Sequence, residues 1–334
     1  MWWYLKGLAF TLSNNLGAYE VGVYSALRKY KRGYKAIVGT GIGAFNAAMM
    51  ASFEYQKLKK IWLDPALSPI LESLDHSIVG KDVDTKKLSL ESLIASHEEK
   101  GLEIGSLAAL IRNNVEEKRV RLSNRKYGVI SLRFSDLKEM PLYIENITKG
   151  ELNDNIVASL FLDDFREKNL IEHNNKTKLD AVEMLKKRGC TSVIVIGNET
   201  KEYDDIDVSY IHPKVSKKVA TIENKTSQEN MRRGYLDTLK YLNKLDGDVY
   251  YFKKKTYNYF KSINKNVDKE LYEVVSSLLK SQDVKTTTIK AIEYAFENEN
   301  RNFLNIYKID NALVYLKSIK SSGFIYDYLR SLNI

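Results

Sequence analysis

The stretch YKAIVGTGIGAFNAAMMA, residues 34–51, restricts the fold more than any other part of the chain. An apolar strand runs into Gly39, Gly41 and Gly43 and then into a helix of small residues. The same order precedes it: the strand LKGLAFTL (5–12), a turn at SNNLG and the amphipathic helix AYEVGVYSALRKY (18–30). Strand, helix, strand, helix with short connections predicts an α/β fold whose parallel sheet is covered by helices. Two motifs overlap at the glycines. Gly39, Gly41 and Ala44 satisfy the phosphate-binding turn G-x-G-x-x-G/A, while Gly39 and Gly43 satisfy the nucleophile elbow G-x-S-x-G, with Gly41 where serine belongs.

Further strands are expected at YGVISLRF (127–134), MPLYIEN (140–146), TSVIVIG (191–197) and DVSYIHP (207–213). Helices are expected within 70–124, at ELNDNIVASLFL (151–162), at LDAVEMLKKRG and at SQENMRRGYLDTLKYLNKL (227–245). Beyond a polar stretch the chain reads as short helices, at 267–281, 286–298, 302–320 and 322–331. This sets a main domain at 1–255 and a helical extension at 256–334, without internal repeats.

With 44% hydrophobic residues the chain can bury a large core. Its 52 basic and 43 acidic side chains give +9, spread over both halves, which suits a solvated surface and excludes a nucleic-acid-binding tail. Lys214, Lys217, Lys218, Arg232, Arg233 and Lys253 to Lys255 could form a basic face able to meet anionic headgroups. The single cysteine, Cys190, enters an apolar strand and reads as a small buried hydrophobe. The start, MWWYLKGLAF, is interrupted by Lys6 and reads as a first strand, with Trp2 and Trp3 left for packing or a membrane interface. No apolar run reaches the ~20 residues of a membrane span, so a soluble, cytoplasmic chain is expected, peripheral to a membrane at most. The four histidines, His76 and His97 among them, are scattered without metal-site spacing, and His212 with Pro213 ends a strand.

A dinucleotide fingerprint opens the first βα unit of its fold and has an acidic residue ~20 positions on. Here a whole unit comes first, and the nearest acids, Glu54 and Asp64, lie in a helical stretch and a proline-rich break. An elbow needs small residues on both sides of a sharp reversal. Gly39, Gly43, Ala44, Ala47 and Ala48 supply them, so the elbow reading is preferred. A nucleotide or phosphate module at GTGIG remains the second alternative.

From LKGLAF through GAYEVGVYSAL to AIVGTGIGAFNAAMMA, and on through GLEIGSLAALI, NDNIVASLFL, LKKRGCTSVIVI and MRRGYLDTLKYL, the sequence resembles the patatin-like phospholipases. The likeness covers roughly residues 5–255. It implies a three-layer α/β/α sandwich with a mainly parallel sheet, and a lipid acyl hydrolase lineage using a Ser-Asp dyad without metal or cofactor. It also implies a glycine-rich G-G-G-x-R-G loop whose amides form an oxyanion hole. Each part is altered here. The nucleophile position is Gly41. The loop reads Leu12, Ser13, Asn14, Asn15, Leu16, Gly17, keeping only its last glycine. His173, Asn174 and Asn175 fall on the dyad's D-G-G, or Glu172 falls on the aspartate with a one-residue shift. Losing a nucleophile removes most of the ~10⁶-fold acceleration of such a site. The expectation is a catalytically inactive relative whose remaining roles are binding a lipid or fatty acyl ligand, peripheral membrane contact, or meeting a protein partner. The alternative is a working acyl hydrolase with a relocated nucleophile, Ser13 or Ser159, beside Glu172 or His173. Thr40 points away from the cleft. An open apolar channel beside Gly41 would favour ligand binding, and a cleft filled by Leu12, Leu16 or Phe161 would favour an interaction role.

Overall fold

Three apolar strands set the centre of the sheet. In β1 (Leu5–Phe10), β2 (Tyr34–Gly39) and β5 (Cys190–Ile196) the last four residues are all buried. That pattern belongs to parallel strands covered on both faces. The structure, a computed structural model, describes residues 5–12, 16–30, 33–66, 70, 89–98, 104–168, 170–171, 180–198, 200–213 and 226–334, the side chains of 96–98 excepted. With β3 (Lys126–Arg133), β4 (Lys138–Tyr143) and β6 (Asp207–Ile211), the strand order is β4-β3-β2-β1-β5-β6. Every neighbouring pair is parallel except β3 with β4. β4 lies at the edge and carries Pro141 opposite Ile130, a position proline tolerates because an edge strand can spare a donor.

Alternation along β3 separates two helical layers. Tyr127 and Ser131 share one face: the Tyr127 hydroxyl donates to Ala44 O on α2 (Ile42–Ala51) at 3.1 Å, and Ser131 Oγ donates to Asn155 O on the helix Leu152–Leu160 at 3.0 Å. Gly128 points the other way, where a Cβ would come 3.1 Å from Met184 Cε on the helix Ala181–Lys187. The α/β class with a mainly parallel sheet between helices is thus as expected. α1 (Gly17–Tyr30) differs from the amphipathic reading, since every residue from Gly17 to Val23 is buried. Part of its cover is the helix Ser227–Tyr241. Cβ atoms at Gly22 and Gly234 would lie 2.0 and 2.1 Å from the carbonyl oxygens of Met231 and Tyr19, so the two backbones meet without side chains between them. Arg233, placed on a basic face by its sequence neighbours, is instead 2% exposed and cannot belong to one.

The chain packs as two compact units, 1–213 with 222–235 and 214–221 with 236–334. The boundary expected near 255 falls inside the second unit because Tyr250 and Phe252 already belong to its core. That core gathers Phe260, Val275, Ile292, Phe296, Leu313 and Tyr328 from five helices: Tyr257–Ile263, Lys269–Leu278, Val284–Asn298, Ile309–Lys317 and Phe324–Ser331. Thr256, Asp268 and Asp283 cap the first three, each side chain accepting from an amide of the first turn. The unit is not purely helical. β7 (Leu245–Asp246), β8 (Tyr251–Lys253) and β9 (Ile306–Tyr307) form a small second sheet, strands too short to leave a periodic signal. Glu293 joins helix to hairpin: its buried Oε1 accepts from the amides of Asp248, Val249 and Tyr250 at 2.7, 2.9 and 2.9 Å. Among the described residues no helix is long and apolar enough to cross a membrane.

Candidate functional site

β2 delivers the chain to Thr40 and Gly41, and α2 leaves at Ile42. Gly41 sits at φ 57°, ψ −135°, a backbone conformation costly for any residue with a Cβ. The reversal is close enough that a Cβ at Gly39 would lie 2.2 Å from Gly43 O, and one at Gly43 would lie 2.4 Å from Phe10 O. The two flanking glycines are therefore steric requirements of a sharp strand-to-helix bend. That is the demand of an elbow, and no ligand need approach to explain them. The bend is pinned from three sides: Thr40 N donates to Phe10 O, Ala44 N to Gly41 O, both at 3.0 Å, and Gly41 N to Ser159 Oγ at 2.9 Å.

Ser159, one residue before the end of the helix Leu152–Leu160, is fully buried. Its hydroxyl accepts from Gly41 N and donates to Ile130 O on β3 at 2.7 Å. The one proton it has is committed to a carbonyl, so the side chain ties the elbow to the neighbouring strand. Ser159→Ala is expected to leave the Gly41 amide and the Ile130 carbonyl unpaired in the interior, lowering stability by about 2–3 kcal/mol in urea unfolding.

At Gly41 itself there is room. Among the described residues only Asp163 Oδ2 comes within 4 Å of a Cβ built there, at 3.9 Å. Asp163 lies in the short helix Leu162–Glu167, and its Oδ1 accepts from Arg166 Nη1 at 3.4 Å. Arg166 in turn grips Glu139 on β4 with two bonds, Nε to Oε1 at 2.7 Å and Nη2 to Oε2 at 3.2 Å, a fork held at 14% and 7% side-chain exposure. The elbow thus faces a carboxylate steadied by a guanidinium anchored on the edge strand. Nothing local in LFLDDF marks Asp163, because two adjacent acids read as a solvated turn.

The segment aligned with the oxyanion loop is described only at its ends. Leu12 and Leu16 are buried, and Gly17 opens α1. A Cβ at Gly17 would lie 2.4 Å from Trp62 Cζ2, so this glycine makes space for an indole. Behind the loop lies a buried polar network. Glu20 Oε1 accepts from Leu12 N at 3.0 Å and Oε2 from Asn46 Nδ2 at 2.8 Å. Asn46 Nδ2 also donates to Gly17 O, and its Oδ1 accepts from Trp62 Nε1 at 2.9 Å, which fixes the orientation of the amide. Complete burial pushes the Glu20 carboxyl up to about 8, against the opposing pull of the Asn46 and Leu12 donors.

Other sequence-derived candidates are dispersed. Ser13, Asn14, Asn15, Glu172, His173, Asn174, Asn175, His76, Trp2, Trp3, Lys214, Lys217 and Lys218 lie outside the described residues, as does the side chain of His97. Cys190 is buried at the start of β5, and burial pushes its thiol up to about 11. Phe161 is buried against Phe134, ring centroids 5.9 Å apart.

No protein-family model and no curated protein matches the sequence. Among solved structures, the chain is similar to full-length ExoU, solved in complex with SpcU from the type III secretion system of Pseudomonas aeruginosa. Identity there is 12%, coverage is 98% of this chain and 70% of that one, and the TM-score is 0.40. It is similar also to VipD from Legionella pneumophila, at 9% identity, 98% and 83% coverage and a TM-score of 0.37. Neither likeness bears on chemistry, which rests on the residues themselves.

Proposed function

We propose that this chain is a patatin-like scaffold of the lipid acyl hydrolase lineage that has lost Ser-Asp chemistry and serves by binding a lipid or acyl ligand or a protein partner. The observation that carries this reading is Gly41. The elbow keeps its bend, its flanking glycines and its left-handed backbone, yet the position that would present an attacking oxygen has only hydrogen. The buried state of Ser159, with its proton held by Ile130 O, speaks against its recruitment as a substitute. Burial of Leu12, Leu16 and Phe161 favours the interaction role over an open acyl channel.

Fluorophosphonate labelling of the purified chain tests the proposal. The wild type and Ser159→Ala are expected to remain unlabelled, and neither a short-chain ester nor a phospholipid is turned over. Labelling of the wild type that disappears in Ser13→Ala or Ser159→Ala would establish a relocated nucleophile and overturn the reading. Thermal stabilisation by a lysolipid or fatty acid identifies the inherited ligand class, whereas stabilisation by nucleotides alone would move the function to the helix terminus at GTGIG.

A further inference from the structure

The helix Val284–Asn298 ends in a tight reversal: Asn300 takes φ 50°, and Arg301 N donates back to Phe296 O at 2.9 Å. The turn sets Arg301 among aromatic rings of the second unit. Its guanidinium carbon lies 4.5 Å from the ring centre of Tyr315, 5.7 Å from Tyr307 and 5.8 Å from Phe296. The Tyr250 hydroxyl donates to the Arg301 carbonyl at 3.3 Å, fixing the main chain beneath. The side chain is half-buried, its Nε is covered and has no acceptor, and it forms no ion pair or hydrogen bond with any described residue. Arg166, Arg188 and Arg330 show the contrast, since each meets a carboxylate.

Aromatic rings packed around a guanidinium restrict its plane, and its in-plane N–H groups are its only donors. A cation partly removed from water with no counter-charge is raised in energy, and a two-oxygen anion arriving in that plane relieves it with paired bonds. We propose that Arg301 is a recognition site for an oxyanion, a phosphate or carboxylate group that a ligand presents edge-on. The site lies wholly within the second unit and is independent of the elbow, so it stands or falls apart from the loss of Ser-Asp chemistry.

The test is titration of the full chain with sodium phosphate, and separately with sodium acetate, at constant ionic strength, following the arginine Nε–H resonance that Arg301→Gln removes. A saturable shift of that resonance is expected. Arg301→Lys should weaken the response by about tenfold or more, since an ammonium cannot form the fork. Tyr315→Leu keeps the arginine but loosens its plane and should also weaken it. A response to phosphate alone assigns a phosphate group, to acetate alone a carboxylate, and to both a two-oxygen anion of either kind. Absence of a saturable shift with either anion, or a thermal stabilisation by the anion that persists unchanged in Arg301→Gln, overturns the assignment.

Discussion

Gly43→Ala is expected to abolish folding of the first unit or to cost it about 3 kcal/mol or more. The added Cβ would stand 2.4 Å from Phe10 O and 3.0 Å from Phe10 Cβ. Phe10 ends β1, which is paired on both sides, with β2 and with β5, so its carbonyl has nowhere to retreat. Gly41→Ala, two residues earlier, meets open space and should cost only the ~1–2 kcal/mol of placing a side chain at positive φ. Urea unfolding of the two variants side by side measures the difference. Equal and mild losses would mean that the bend relaxes freely and that sterics do not hold the elbow. A large gap between them would locate the rigidity of the site in its flanks, with the former nucleophile position left permissive.

Glu20 should make stability fall as pH rises. Its carboxyl, fully buried, is pushed from 4.5 to about 8 in the folded chain, so the folded state keeps a proton that the unfolded chain has already released. The stabilisation is complete below pH ~4.5, shrinks across the interval between the two values and is gone above pH ~8. Over the whole interval the loss is on the order of 5 kcal/mol. Glu20→Gln carries no titrating group and retains the acceptor for one of the two donors. It should flatten this slope while staying folded at pH 9, whereas Glu20→Ala strands Leu12 N, leaves Asn46 Nδ2 only its bond to Gly17 O, and should be the least stable of the three. Denaturant midpoints at pH 5 and pH 9 decide it. Equal midpoints in the wild type would show that the two donors hold the carboxylate ionised throughout.

What the sequence disclosed at this site is what sterics make local. Gly39 and Gly43 announced the bend because close backbone approach admits no other residue, and apolar runs announced β1, β2 and β5 because strands covered on both faces have no polar side. The partners of those elements were not legible. Ser159 reads as a candidate nucleophile, while its use depends on a bond to Gly41 across 118 positions. Glu20 reads as one polar residue on an amphipathic helix, and only the packing around α1 turns it into a buried acid. Gly17 reads as the remnant of an oxyanion loop, but the constraint on it comes from Trp62, far along the chain. The second sheet escaped notice because two or three residues cannot show alternation, and the long reach from Glu293 to the amides of 248–250 leaves no trace in either segment.

The proline in β4 has a bearing on how the molecule can meet others. A ribbon arriving alongside a sheet needs an unbroken line of amides and carbonyls to lie against. On the β4 margin that line is interrupted at Pro141, and Glu139 beside it is already engaged by Arg166. Lateral growth of the large sheet by a foreign strand is thereby discouraged at one border, and β6 is the other margin among the described residues.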